Sequence, residues 1–456
     1  NYGIDGEMNH IKINLDNGNQ TVQLEENGSY QRLMFVVLTE GNTLIGNGAT
    51  IYGDVSTVFN QSPAIYIPYG SLNLNGNLTI DDHDYGVILG FTNGTADKAA
   101  ELCIAENAGL EIVNCKSIES VSGDNSYDGG VVCKGTDYFS YVDTQGDGTR
   151  GSGIVTKGQG NTTAKVTVAK SAELNIHESE GAAIFSVNAE RFTLDIQPSA
   201  NVTFNGNGQG ICMNTDYTGN VDVIVDNATL TIEENRSNGI TGQSLPYVLD
   251  IKNQSTVHIN NNGGIGINNF FIKVAGSQLS VSNNGSHGAS NVALDAENST
   301  IVCSDNAYIG LNITKYNQDK TSTEIKNSTV TANGNGGPGV RFYIGAGKTD
   351  ITDSKIYTHE NGDGKTGSYG YDMVPNDSGG WAGLVGKGNV TLTNSYVSSD
   401  SAGGYALYND SAAPATLNIS GTDVVAFDAT EGMSNADIFD DWNSKGNTGR
   451  TYVTGG

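Results

Sequence analysis

The chain is short of basic side chains: 23 Lys and Arg stand against 50 Asp and Glu, a formal net charge of −27. With no Lys/Arg cluster, nucleic acid is excluded as a partner, and adsorption to an anionic membrane is equally disfavoured. Helix-period segments are nearly absent before residue 430, which excludes ankyrin, tetratricopeptide and armadillo arrays. No stretch approaches the roughly 18 consecutive apolar residues that a membrane-spanning helix needs. The five cysteines, Cys103, Cys115, Cys133, Cys212 and Cys303, form no CxxC pair and have no His at zinc spacing. Cys212 and Cys303 read as inward strand positions, where a thiol acts as a small apolar residue. A Cys115–Cys133 bridge is left open. No Gly-rich element sits between a strand and a helix, so phosphate cradles are out.

What the chain has instead is a repeat. A β-branched run, a polar pair, a second such run, an Asn/Gly corner and Gly-Ile recur along it. One copy reads Leu194-Asp-Ile196, Val202-Thr-Phe204, Gly210-Ile211, and the next reads Val223-Ile-Val225, Leu230-Thr-Ile232, Gly239-Ile240. The middle-run anchors Leu174, Val202, Leu230, Val257, Leu279, Ile301, Val330, Ile356, Val397 and Val424 are 22 to 29 residues apart, with one gap of 41. Each run alternates apolar with Thr, Ser, Asn or Asp, which is strand periodicity. Corners such as Asn205-Gly-Asn-Gly208 and Asn260-Asn-Asn-Gly263 tolerate positive φ and turn sharply. One run buries nothing alone, but stacked rungs bury a continuous core. The spacing is too short for propeller blades and lacks the Leu/Asn signature of leucine-rich repeats. The expected fold is all-β: a right-handed parallel β-helix, a three-faced solenoid of about 14 to 16 rungs, with loop insertions and end caps.

Phe35-Val-Val-Leu38 followed by Asn42-Thr-Leu-Ile-Gly-Asn-Gly-Ala-Thr-Ile-Tyr52 resembles the opening rungs of the pectate-lyase-like β-helix superfamily. Leu72-Asn-Leu74, Leu78-Thr-Ile80, Gly86-Val-Ile-Leu89 and Leu110-Glu-Ile-Val113 continue it. That superfamily holds lyases, glycosidases, phage tailspikes and non-catalytic adhesins, so the resemblance implies architecture and leaves activity open. The reading is one domain over 1–456. Residues 1–34 hold the N-terminal cap and first rungs, 35–427 the rungs with insertions at 118–160 and 359–388, and 428–456 the C-terminal cap. In that cap Glu431–Trp442 reads as a short amphipathic helix. Many Asn-x-Ser/Thr triplets, Asn227, Asn298 and Asn327 among them, fall out of the corner-then-strand pattern and are not read as glycosylation sites.

Catalytic signatures are fragmentary. Asn214-Thr-Asp216 and Ser286-His-Gly288 resemble two polygalacturonase motifs, which nominates Asp216 and His287, but the paired Asp motif expected between them and the terminal Arg-Ile-Lys are missing. Inverting glycosidases need two carboxylates that act as acid and as base. Arg341 is the one arginine placed where a face residue can act in a lyase mechanism, which also needs a carboxylate cluster for Ca²⁺. Asp81-Asp82-His83-Asp84 is the densest polar cluster at a strand end. Asp143-Thr-Gln-Gly-Asp147-Gly148 begins like a calcium loop, yet its twelfth position is Ile154 where a bidentate Glu belongs. Asp81, Asp82, Asp143 and Asp147 are therefore the metal candidates. Ca²⁺ is the only cofactor with a case, and none is required.

In solenoids, function concentrates where loops interrupt the repeat. The first insertion carries Tyr127, Tyr138 and Tyr141; the second carries Tyr369, Tyr371, Asp372 and Trp381, with Tyr343, Tyr357, Tyr405 and Tyr408 on neighbouring rungs. Aromatic faces beside carboxylates and amides suit a sugar ring and its hydroxyls. The expectation is an extracellular bacterial surface adhesin, secreted or cell-surface, monomeric as an isolated domain. It would present these loops to host glycans or host surface proteins without catalysis. A polysaccharide lyase or glycoside hydrolase on an extended acidic glycan is the alternative, and a structural stalk the third reading. The chain begins at Asn1 without Met, signal peptide or anchor, and is expected to be a processed protein or an excised segment.

Overall fold

The computed structural model describes residues 2–4, 11–53, 63–83, 85–90, 98–116, 152–157, 162–187, 191–214, 220–242, 247–314, 322–361, 384–401, 407–409, 417–421, 423–428, 438–440 and 451–454. Their elements are β-strands, nearly all paired in parallel with the equivalent strand one repeat later, as in a parallel β-helix. The chain divides into two compact units, Asn1–Arg236 with Gly242–Ser244 and Ser237–Thr241 with Leu245–Gly456. Each rung gives three strands: a first strand after the Asn corner, a second, and a middle strand before the next corner.

In the first unit the middle strands run from Ser29–Gln31 to Thr229–Glu233. Their burial alternates residue by residue. In Asn201–Asn205, Val202 and Phe204 point inward while Asn201, Thr203 and Asn205 point out. The pairing is in register, so inward side chains stack on their equivalents: Ile51, Ile80, Ile112, Ile176, Phe204 and Ile232 form one such column, each 0 % exposed. A one-residue slip would turn every one of them to solvent, and each is worth about 1.5–3 kcal/mol when buried, so the core fixes the register. At the N-terminal end Tyr2–Ile4 lies antiparallel on Ile11–Leu15, whose other edge pairs with Leu33–Val37. That reversal covers the open edge of the first rung strand, as a cap must.

The first strands of this unit depart from alternation. Leu33–Val37, Pro63–Ile67 and Tyr85–Leu89 are buried at every position. Phe35, Ile65, Val87 and Ile154 face the core, while Met34, Val36, Tyr66, Ile88, Val155 and Phe185 form a second apolar cluster on the opposite face. Cys212 belongs to that cluster, between inward-facing Ile211 and Met213. The inward position expected for it is therefore wrong: alternation puts it on the outer face, which here is apolar too. Burial raises its thiol to about 12, as it does for Cys303, which does face the core. Cys115 is buried, and Cys133 lies outside the described residues.

In the second unit the corners carry hydrogen-bonded ladders. Asn262, Asn284, Asn306, Asn335 and Asn361 succeed one another in consecutive rungs, none more than 2 % exposed. The backbone N–H of each donates to the side-chain oxygen of the next, at 2.9–3.1 Å. Each side-chain amide from Asn284 onward also donates to a carbonyl of the preceding rung, Asn284 to Ile259 and Asn306 to Val281, for example. Serines do the same at the opposite corner. Ser255, Ser277, Ser299, Ser328 and Ser354 each donate a backbone N–H to the hydroxyl of the next, ending at Ser395. Each such buried bond contributes about 1 kcal/mol net, and stranding either partner costs about 1–3.

The ladders explain two sequence habits. Asn298, Asn327 and Asn394 have φ near +50°, the left-handed conformation that Asn adopts readily, and each is followed by a ladder serine. The Asn-Ser-Thr triplets are thus corner plus strand start. The Gly before each first strand is required by the Asn ladder. A Cβ on Gly266 would lie 2.4 Å from Val281 and 2.8 Å from the Asn284 amide, and one on Gly310 would lie 2.6 Å from the Asn335 amide.

At the C-terminal end the expected capping helix is overturned. The described part of 431–442, Ile438–Asp440, is a strand in parallel register with Leu407–Asn409, and Thr451–Thr454 pairs likewise with Leu417–Ser420. Ile-Phe favours a strand, and the preceding rung offers an unpaired edge that a helix would leave unsatisfied.

Candidate functional site

Most of the aromatic loop residues nominated from the sequence fall outside the described residues. These are Tyr127, Tyr138, Tyr141, Tyr369, Tyr371, Asp372 and Trp381, together with Asp143, Asp147 and Asp216. Tyr343 lies within strand Val340–Thr352, in register with Thr314 and Lys387.

The described candidates are held by local partners. Asp81 accepts a 3.0 Å bond from the Asn114 side chain. Asp82, at φ +57°, pairs with Lys116 at 3.6 Å. The two carboxylates thus meet an amide and an ammonium, and among the described residues no three His, Cys, Asp or Glu side chains gather as a metal site. His287 accepts the Ile309 backbone N–H on Nδ1 at 3.3 Å, and its ring lies 5.6 Å from that of Tyr308. Burial, aided by the nearby Arg341 charge, lowers its pKa to about 4, so it is neutral at neutral pH. A neutral imidazole whose Nδ1 is engaged by the backbone braces a corner. Arg341 sits beside Asn312 in register.

The second strands carry the charges, and these pair across neighbouring rungs. Arg191 meets Asp222 at 2.8 Å, Lys165 meets Asp195 at 3.2 Å, and Lys326 meets Glu297 at 3.8 Å. Such exposed pairs contribute little individually and leave no concentrated field. In the first unit Glu111 bridges Thr79 and His177, at 3.1 and 3.2 Å. Each of these pairs is accounted for by structure.

The outer face of the middle strands in the second unit is different. Along it run Thr331 on Thr329–Thr331, Tyr357 and His359 on Lys355–Asn361, and Tyr396 on Tyr396–Ser401. The side chains of Ile356 and Val397 go into the core, so Tyr357, His359 and Tyr396 face outward, all partly exposed. The Tyr357 and Tyr396 rings lie 5.9 Å apart, tilted by 53°, and His359 lies 6.4 Å from Tyr357, tilted by 37°. Lys355, exposed, is the register partner of Tyr396, and Thr331 that of Tyr357.

The backbone beneath these rings is fixed by a polar rail. Asn260 accepts the Ser282 N–H, Ser282 the Ser304 N–H, Ser304 the Asn333 N–H, and Asn333 the His359 N–H, at 2.8–3.2 Å. Three aromatic rings are thereby held on a rigid sheet face, flanked by a hydroxyl and an ammonium. Such a ledge offers apolar ring faces and hydrogen-bonding groups. Tyr357 was legible as a rung aromatic near the second insertion. Tyr396 and His359 were missed, although Tyr396-Val397 and Tyr357-Thr-His359 already place all three at outward positions of successive repeats.

No family model matches the chain, and no curated protein matches it. Among solved structures it is similar to the A-module of the mannuronan C-5 epimerase AlgE6 from Azotobacter vinelandii. Identity is 10 %, covering 91 % of this chain and 90 % of that one, with a TM-score of 0.28. A superposition that loose carries no weight beside the strand register, which establishes the parallel β-helix by itself.

Proposed function

We propose that this protein is a non-catalytic glycan-binding module of the bacterial cell surface, an adhesin built on a parallel β-helix. The observation that carries this reading is the outward cluster Tyr357, His359 and Tyr396 on a braced sheet face. Rigid aromatics bind a sugar face at small entropic cost, because few rotors are lost. Hydrolysis needs two opposed carboxylates, and elimination needs a base beside a cation-neutralised acid group. Among the described acids, Asp81, Asp82, Asp195 and Asp222 are instead engaged by an amide, lysines and an arginine within the rungs.

A screen of immobilised glycans with the full chain, run beside reducing-end and unsaturated-product assays on each glycan retained, tests the reading. Retention without turnover is expected. Turnover of any bound glycan, lost on Asp216→Asn or Arg341→Ala, would replace the adhesin by a hydrolase or lyase.

A further inference from the structure

Resting on that reading, we infer that the Tyr357–Tyr396 ledge is the binding site and that its ligand is a neutral pyranose glycan lying across the rungs. The direction follows from the register. Tyr357 and Tyr396 belong to successive middle strands, with Ile356 opposite Val397. Tyr396 lies opposite Lys355, two residues before Tyr357, so the line joining their rings runs diagonally, crossing one rung and advancing two residues along the strand. Ring centroids 5.9 Å apart compare with a strand spacing of about 4.8 Å and match the advance of one sugar ring along an extended chain. Consecutive pyranoses thus meet consecutive tyrosines, and His359, 6.4 Å from Tyr357, widens the ledge on one side.

The chemistry follows from charge. The chain carries a net −27, which repels a polyanionic glycan at long range. A polyuronate would need a row of cations at the spacing of its carboxylates. The ledge offers Lys355, while its neighbours in register are Thr329, Thr331 and the buried Ser398. Hydroxyls and one ammonium suit sugar hydroxyls, as acceptors and donors respectively. Stacking on tyrosine also favours a pyranose that presents an unbroken face of C–H groups, which an equatorially substituted neutral hexose does.

The experiment is affinity electrophoresis and calorimetry of the full chain against neutral polymers (mixed-linkage β-glucan, β-galactan, xylan) and acidic ones (polygalacturonate, alginate). Binding to at least one neutral polymer is expected, unchanged by added salt. Tyr357→Ala and Tyr396→Ala should each weaken it on the order of tenfold, and Tyr396→Phe by less than about threefold. Tyr396→Leu, which keeps an apolar side chain on the strand, should fail like the alanine variant; it keeps the test decisive if alanine lowers the melting temperature. Tighter binding to the acidic polymers would overturn the inference, as would folded Tyr357→Ala and Tyr396→Leu variants that bind like the parent. Both results leave the adhesin reading standing. Retention of no glycan at all would overturn both.

Discussion

The two units follow one rung plan and stabilise it differently, most plainly at the strand after the Asn corner. In the first unit the outward side chains of that strand are Met34, Val36, Tyr66, Ile88, Val155 and Phe185, buried in an apolar cluster. In the second the equivalent positions are Thr241, Asn268, Ser290, Asn312 and Arg341. The inward columns hardly differ, Val, Ile, Leu and Phe in both. The polar ladders are also unequal. The first unit's asparagine ladder is short, Asn207 and Asn235 with Ser179, whereas the second runs five asparagines and six serines without a break. A β-helix rung can thus be held by a second apolar layer outside the sheet or by hydrogen bonds threaded through its corners.

The largest expected effect breaks the apolar layer. Ile88→Asn, the residue type found at this strand position in the second unit, would remove a side chain that is 2 % exposed and strand an amide among Met34, Tyr66, Val155 and Phe185. Lost burial and an unpaired polar group together cost about 3–5 kcal/mol. Urea denaturation should show this as a large drop in midpoint. A loss below about 1 kcal/mol would mean the outer layer contributes little and the contrast between the units is cosmetic.

The next cut goes through the ladder. Asn306→Ala would leave the Asn284 backbone N–H without its acceptor and the Val281 carbonyl without its donor, both inside the solenoid. At about 1–3 kcal/mol per stranded group, a loss of about 3 kcal/mol is expected. Faster amide exchange should be confined to the rungs on either side. Uniform loss of protection across the chain would show that the ladder is not a local brace.

The repeat was readable as strands, corners and core because period-two alternation and Asn/Gly clusters have direct physical meaning. Val202, Phe204, Leu230 and Ile232 face inward as their spacing requires. Alternation does not say what covers the other face, which is why Cys212 was misplaced. Nor does composition separate the two jobs of a corner asparagine. In Asn260-Asn-Asn-Gly263, Asn261 turns the chain at φ +58° while Asn262 is 1 % exposed and links the rungs. The ledge was hidden for a related reason: Tyr357 and Tyr396 are 39 positions apart in the chain, and only the register Ile356–Val397 brings their rings together. The capping helix failed because an amphipathic pattern weighs local spacing and takes no account of an open strand edge.

The smallest effect is the most discriminating. Asn268→Val puts into the second unit the kind of residue that the first unit uses at this strand position. Asn268 is half-buried, and its side-chain oxygen accepts only a long 3.4 Å bond from Asn291, in an exposed setting. Its register partners on that face are the polar Thr241 and Ser290, so the new methyls gain little apolar contact and the lost bond was weak. Denaturation should shift by less than about 0.5 kcal/mol in either direction. Asn placed on the first unit's face and Val placed on the second's would then be unequal exchanges, about 3–5 kcal/mol one way and almost nothing the other. That asymmetry is what an apolar face and a polar face predict; equal costs would mean that the two faces are alike.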